Sequence, residues 1–427
     1  MESLKNCSNK SLQGGQNILN FSDRNKTVLC VDIGTSSLKA ALITEKGRTK
    51  AFSRRSLNHS NSSKISSLWL PALSEAVKSF GDKIKTVAGI CVSGNGPTVV
   101  SQDSTTLLWN EEIPEEYGRE RLGTKSLFIP RLLAFRSKFK LAWENSEKIF
   151  SGPEYLIYVL TGAAFSILPE KRYVQAYWDE AELRRFKIEP EKLPDFVPPS
   201  YLAGNTISEA NLMLGLPRPV PVFCGAPDFI VALIGTDTLS SGKICDCAGS
   251  SEGLNLCTEI PLYGDDIRTL PSVIGGLWNA GVLFTKSGRR FSEYKKRFEI
   301  SEKRQATYAE LTERCIKNPS CEGYKIMEAL AKEVRNGYEI LFAAAKKEGI
   351  KIADAIRITG GQAKNPAWLQ MKANIVEKTF EVCSIPDAEL LGDAALAYKG
   401  LGLYKTIQEA ASSIVKGGER YYPRGNP

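Results

Sequence analysis

Residues 28–47, VLCVDIGTSSLKAALITEKG, put an acid, a glycine and a cluster of small hydroxyl residues at the turn between two β-patterned runs. Asp32 stands near the end of the first run, and Gly34, Thr35 and Ser36 form the turn. Glycine lets a backbone come close to an anion, and short hydroxyls donate hydrogen bonds without crowding it. The same residues also suit an ordinary hairpin in which Asp and Ser satisfy the turn's own amides, and the stretch alone leaves both readings open. A second run of this kind, AGSSEG, offers Gly249, Ser250 and Ser251. Asp228 follows a Gly-Ala-Pro turn and opens the apolar run DFIVALIG. A carboxylate there could accept a proton from a hydroxyl, or simply cap a helix, a contact worth about 1 kcal/mol.

The single histidine narrows the chemistry. His59 lies in the polar stretch SLNHSNSSK, so a Ser-His-Asp triad, a Cys-His pair or an HExxH metal site would each depend on it. Catalytic groups are therefore sought among carboxylates, backbone amides, hydroxyls and lysines. The ten cysteines sit mostly inside apolar runs and read as small buried hydrophobes. Cys245 and Cys247 share one face of a strand, but no second Cys pair or histidine completes a zinc set.

The elements that must hold these residues follow from the patterning. Three β-like runs from Val28, joined by TSS and KGR, read as a meander. The segment SLWLPALSEAVKSF reads as a helix and TVAGICVSG as a strand, with a Gly-Pro turn at GNGPT. Residues 126–162 read as helical and end on Gly162, while LPDFVPPSYLAG is an irregular connector because its prolines cannot continue a helix. From about residue 240 the opening theme returns as strand, glycine-hydroxyl turn and strand, which suggests an internal duplication. Residues 262–322 are weakly patterned. Beyond them Ile326, Leu330, Val334, Tyr338 and Leu341 recur at helical spacing, Gly349 ends that helix, and α/β alternation runs to about residue 404.

Several motifs, in order along the chain, carry a resemblance. DIGTSS resembles the first phosphate loop of the actin, hexokinase and Hsp70 superfamily. GAPDFIVALIG, AGSSEG, GGQAKNPAWLQMKANIVEKTFEV and PDAELLGDAALAYKGLG resemble, in order, the catalytic-aspartate motif, second phosphate loop, adenosine segment and C-terminal helix of the FGGY carbohydrate kinases. The resemblance implies an α/β fold of two ribonuclease H-like domains flanking a nucleotide cleft, with ATP and Mg²⁺ as cofactors. Residues 1–26 would then be a flexible tail, 27–238 the sugar-binding and catalytic domain, and 239–427 the nucleotide-binding domain. It implies Asp228 as catalytic base and Asp32 as organiser of Mg²⁺. Gly34, Thr35, Ser36, Gly249, Ser250, Ser251, Gly360, Gly361, Gln362 and Asn365 would form the nucleotide cradle, and Asn95, Trp109 and Asn110 would touch the sugar. Lys39, four residues past the first turn, is divided between a phosphate contact and ordinary surface, and Asp246 reads as outward-facing or bound to local amides.

The chain departs from the family's pattern where a sugar is read. Xylulokinases carry Ser-Gly-Gln-Met-His-Gly where this chain has SGNGPT, so Gly96 and Pro97 replace a Met-His pair. In LLWNEEIPEE, Glu111 and Ile113 stand at the Asp and Arg positions of the family's Trp-Asn-Asp-x-Arg element. A sugar or polyol, pentulose-like acceptor is the expected substrate. The alternative is a degenerate nucleotide-binding sensor or scaffold without turnover.

Composition bounds the remainder. At 427 residues two domains are expected, and 42% hydrophobic with 24% charged residues is ordinary for a globular chain. No apolar run approaches the roughly 20 residues of a bilayer span, and the N-terminus lacks the apolar core of a secretory signal, so a cytoplasmic protein without membrane contact is expected. The formal charge of +8 is spread among acids, which argues against a nucleic-acid groove. A homodimer is admitted as an assembly.

Overall fold

The computed structural model describes residues 26–57, 61–249, 251–285 and 287–424. The expected N-terminal tail, His59 and Ser250 lie outside the described residues.

Two mixed sheets carry the fold. The first is built from β1 (Thr27–Ile33), β2 (Ser37–Thr44), β3 (Thr49–Ser56), β4 (Val87–Gly94), β5 (Leu202–Asn205) and β6 (Pro221–Pro227), in the order β5-β6-β4-β1-β2-β3. The meander expected at residues 28–57 is present: β1 pairs antiparallel with β2, and β2 with β3. β1 is also parallel to β4, and β4 to β6. Every residue of β1 and of β4 is buried, as a central strand covered on both faces requires. Helices α1 (Trp69–Lys78), α2 (Gly152–Thr161) and α3 (Asp228–Gly235) belong to this half. α2 ends at Gly162, where its C-terminal glycine was expected.

The second sheet contains β7 (Ile244–Ala248), β8 (Glu252–Thr258), β9 (Arg268–Pro271), β10 (Trp278–Phe284), β11 (Ala355–Thr359), β12 (Thr379–Cys383) and β13 (Gly417–Tyr421). Its order is β9-β10-β8-β7-β11-β12-β13. The plan of the first sheet recurs: β7 and β8 form an antiparallel hairpin, β8 continues antiparallel into β10, and β7 is parallel to β11 and β11 to β12. The duplication suggested by two glycine-hydroxyl turns is thus visible in strand order. Helices α4 (Glu322–Lys347) and α5 (Pro366–Val376) belong to this half, whereas α6 (Glu389–Gly400) follows β12 in the chain and packs on the first sheet. Leu330, Val334, Tyr338 and Leu341 of α4 are buried, and Ile326 packs partly buried against the same core.

The weakly patterned stretch 262–322 is more regular than its sequence suggests. It holds the edge hairpin β9–β10 and helices over Ser287–Glu302 and Tyr308–Lys317. The first of these helices packs on the second-half core through Phe291, Tyr294 and Phe298, a sparse stripe of partly buried aromatics among charged residues.

α6, from late in the chain, packs with α3 against the first sheet, and both contribute to one apolar core with Val231, Ile234, Leu391 and Ala395. Their crossing is close because it is built on glycines. A Cβ at Gly235 would lie 1.7 Å from the Ala388 carbonyl oxygen, and one at Gly392 would lie 2.2 Å from that of Val231. α6 rests on β1 and β4, and so carries residues from late in the chain beneath the first-half turn.

Candidate active site

The first glycine-hydroxyl turn sits where β1 hands over to β2. The register sets Asp32 opposite Lys39 and beside Ser93 of β4. The Gly34 N–H donates to the Ser37 carbonyl at 2.9 Å and closes the turn. The Thr35 hydroxyl oxygen accepts from Asn95 Nδ2 at 3.2 Å and from Trp109 Nε1 at 2.9 Å. With both lone pairs engaged, the Thr35 O–H is left as a donor. Two residues expected to touch a sugar thereby meet the turn expected to touch phosphate.

Asp32 is 3% exposed, and its Oδ1 has no hydrogen-bond partner. Its Oδ2 takes the Lys39 ammonium at 2.9 Å. Lys39 is neither free surface nor open to a phosphate: its Nζ also lies 3.3 Å from Asp387 and 3.9 Å from Glu389, both delivered by the segment that starts α6. Burial alone would lower the Lys39 pKa, but the charges of Asp32, Glu389 and Asp387 outweigh it and hold it above the ordinary lysine value. Burial pushes the Glu389 carboxyl up to about 7, with Lys39 opposing and Asp32 reinforcing. Asp387 goes the other way despite its burial, because Lys39, Lys364 and Arg54 surround it.

Asp228 is the first residue of α3, and Pro227 takes the cap position. Its carboxylate accepts the N–H of Phe229 at 2.7 Å and faces a cavity of about 490 Å³. The Asp228 side chain is exposed on the cavity side, which tempers any loss of hydration. Partial desolvation by the surrounding protein first, and the negative Asp32 second, push its carboxyl up to about 6, against the pull of the Phe229 N–H and Lys39.

The cavity is where the halves converge. Asn95, Gly96, Trp109 and Asp228 line it from the first half, and Gly249, Ser251 and Gly360 from the second. Gly360 has φ +93°, and a Cβ there would lie 2.6 Å from the Ala248 carbonyl oxygen, so the β11 turn can rest against the end of β7 only as glycine. Cys247 also lines the wall, its Sγ 4.0 Å from that of Cys245 on the shared strand face.

Other expected contacts fall elsewhere. Asn110 is exposed and outside the cavity wall. Asn365 is the N-cap of α5: its Oδ1 accepts the Trp368 N–H, and its Nδ2 donates to Thr312 at 2.8 Å, so the side chain braces the segment behind the turn. Gln362 donates to Glu252 at 3.0 Å and accepts from Trp368 Nε1 at 2.6 Å, and neither it nor the exposed Gly361 lines the cavity. Asp246, expected at the surface or on local amides, is fully buried and paired with Lys372 at 2.5 Å; Lys372 also bonds Glu252.

The comparisons with known proteins join this geometry to a lineage. Residues 304–401 match the profile of the FGGY family of carbohydrate kinases, C-terminal domain. That region is similar to the FGGY kinases. The chain is 23% identical to the xylulose kinase of Staphylococcus epidermidis, over 93% of this chain and 92% of that protein. Ligand-bound xylulose kinase from Lactobacillus acidophilus has the same fold, with a TM-score of 0.74 at 17% identity over 93% of this chain and 94% of the other. Plasmodium falciparum glycerol kinase with ADP follows at 0.71, with 16% identity and 94% coverage of each chain. The whole chain therefore shares the two-domain fold of these kinase structures.

Sequence reasoning missed the acids of the FGGY C-terminal segment. Asp387, Glu389 and Asp393 reach back to Lys39 and to Ser93, whose hydroxyl donates to Asp393 at 2.9 Å. The signal was present in PDAELLGDAALAY, where acids recur inside a helix otherwise made of small apolar residues. Arg268 in the cavity wall was also missed, because β9 was not recognised as a strand.

Proposed function

We propose that this chain is an ATP- and Mg²⁺-dependent kinase that phosphorylates a hydroxyl of a sugar or polyol, with the pentuloses of its xylulose kinase relatives as the first acceptors to try. One observation carries the reading: a single cavity joins the Asp228 carboxylate of the first half to the Gly249, Ser251 and Gly360 turns of the second. The acceptor oxygen bonds the γ-phosphorus, the bond to the bridging oxygen breaks, ADP leaves, and the hydroxyl proton passes to Asp228. A carboxyl near 6 is ionised at neutral pH yet basic enough to take that proton. Backbone amides of the three turns and the Thr35 O–H would hold phosphate oxygens. The unpartnered Asp32 Oδ1 fits the water shell of Mg²⁺, which when bound offsets phosphate charge.

The reading is tested by ADP release from ATP-Mg²⁺ against ketoses, alditols and aldonates, with wild type beside Asp228→Asn. Acceptor-stimulated release that disappears in the variant, while nucleotide affinity survives, is the expected outcome. Tight nucleotide binding without stimulation by any acceptor would replace it with the sensor reading. Stimulation undiminished in Asp228→Asn would remove Asp228 from the chemistry.

A further inference from the structure

Four residues around the first turn form a closed hydrogen-bonded ring. The Trp109 backbone N–H donates to Thr98 Oγ1 at 3.2 Å, and the Thr98 hydroxyl donates to Asn95 Oδ1 at 3.2 Å. Asn95 Nδ2 and Trp109 Nε1 then both donate to Thr35 Oγ1, and neither bond uses the Thr35 proton. Every bond in the ring therefore runs toward Thr35. Its far corner is enclosed, since Thr98 is fully buried and Asn95 is 3% exposed, whereas Trp109 is 42% exposed. The backbone fixes the same frame, because the Asn95 N–H donates to the Ile33 carbonyl at 3.0 Å. Asn95 and Trp109 also line the cavity that holds Asp228, and Thr98 does not. Trp109 has a single side-chain polar hydrogen and that hydrogen is taken, so what it keeps for a ligand is its apolar ring.

A hydroxyl that accepts two hydrogen bonds has one direction left for its proton, and a donor fixed before its ligand arrives loses less freedom on binding. We propose that Trp109, with Asn95 and Thr98, positions the Thr35 O–H for a phosphate oxygen of the nucleotide, and that the Trp109 indole N–H is not a donor to the acceptor. This deepens the kinase reading and rests on it for the identity of the anion. A Thr35 hydroxyl free to rotate would be the weaker phosphate donor, because it would have to be ordered at the moment of binding. The wall expected to read the acceptor is thus tied to the turn expected to read the nucleotide, and the acceptor meets Trp109 through its ring.

The test measures binding of a non-hydrolysable ATP analogue with Mg²⁺ to the full chain by calorimetry, without acceptor, in wild type, Thr35→Val, Thr35→Ser, Trp109→Phe and Thr98→Val. Thr35→Val removes the donor and should weaken the analogue about 10-fold or more, whereas Thr35→Ser keeps it and should recover most of the loss. Trp109→Phe leaves a ring on the wall without the indole N–H and should weaken the analogue about 3- to 10-fold. Thr98→Val should act in the same direction from outside the cavity wall. In the Thr35→Val background Trp109→Phe should cost nothing further, because its effect passes through the hydroxyl. In turnover, read as ADP release with the best acceptor, Trp109→Phe should raise the KM for ATP while the acceptor KM stays within about twofold. Melting temperatures confirm that the variants are folded; should Thr98→Val unfold, Trp109→Phe and its pairing with Thr35→Val decide the matter. Unchanged analogue affinity in Trp109→Phe, with the acceptor KM raised instead, gives the indole N–H to the acceptor and overturns the assignment while the kinase reading stands. Losses from Trp109→Phe and Thr35→Val that add in full overturn it as well. Failure of wild type to bind the analogue overturns the kinase reading and the assignment with it.

Discussion

As the proposed base, Asp228 would work against the stability of its own fold. The group is useful as a base only when ionised, so kcat should rise with pH through an apparent value near 6 and level off above it, as measured by a pH-rate profile at saturating acceptor. Asp228→Asn should lower kcat by about 10²- to 10⁴-fold with little change in nucleotide affinity by calorimetry. The same shift has a stability consequence of defined sign. A carboxyl whose folded pKa is raised contributes stability at acid pH, and that contribution is lost as pH climbs through about 6. Asp228→Asn should therefore melt higher than wild type at pH 8, with the gap closing toward pH 4, as checked by thermal denaturation across that range. The helix-cap alternative expects a lower melting temperature for the variant at pH 8, because Asn would surrender the charge at the start of α3.

At the scale of elements, buried charge holds the second glycine-hydroxyl turn in place. Lys372 of α5 and Asp246 of β7 are completely buried, with Glu252 at the start of β8 as the third member. Burial and the Glu252 charge drive the Asp246 carboxyl well up, whereas Lys372 holds Glu252 below its ordinary value in spite of burial. Lys372→Met leaves two enclosed acids without their cation and should cost about 3–5 kcal/mol in urea denaturation. Adding Asp246→Leu and Glu252→Leu should restore much of that stability, since apolar replacement of a buried ion cluster is often neutral. Nucleotide affinity should remain low, because Gln362 loses the Glu252 carboxylate that orients its turn. The α3–α6 crossing is equally exacting. Gly392→Ala drives a methyl into the Val231 carbonyl, and about 1–3 kcal/mol should be lost as the helices separate. A melting temperature equal to wild type would show that the crossing can slide.

The whole molecule is two copies of one sheet plan closed on a shared cleft. Between the halves run the Lys364–Asp387 pair at 2.7 Å, the Tyr173 hydroxyl donating to the Pro271 carbonyl at 2.6 Å, and the contact of Arg172 with Trp278. These are polar or rim contacts, so the halves can open for substrates and reclose. Arg172→Ala removes a cation–π contact from the closed form and should raise acceptor KM about 3- to 10-fold while kcat and melting temperature stay close to wild type. A fall in kcat with KM unchanged would place Arg172 in the transition state instead. Among the described residues no helix is long and apolar enough to cross a membrane.

The sequence by itself determined the local grammar of the site: Asp32 before a glycine-hydroxyl turn, Asp228 before an apolar helix, a second such turn at Gly249, and a glycine pair at Gly360. Each is a short-range pattern, because turn geometry and close backbone approach demand particular residues within a few positions. The same short range made the β1–β3 meander and α4 legible. Tertiary structure alone decided which side chains those patterns leave free. Asn365 and Gln362 resemble nucleotide ligands but brace their own segment, and Lys39 looks like strand surface but is enclosed by three acids, two of them more than 340 residues away in the chain. Arg268 entered the site through an edge strand without a usable pattern, because an edge strand of four residues offers too little alternation to read. Ion pairs and cavities form between distant segments, and their partners are set by how the two sheets close on each other, which no local spacing encodes.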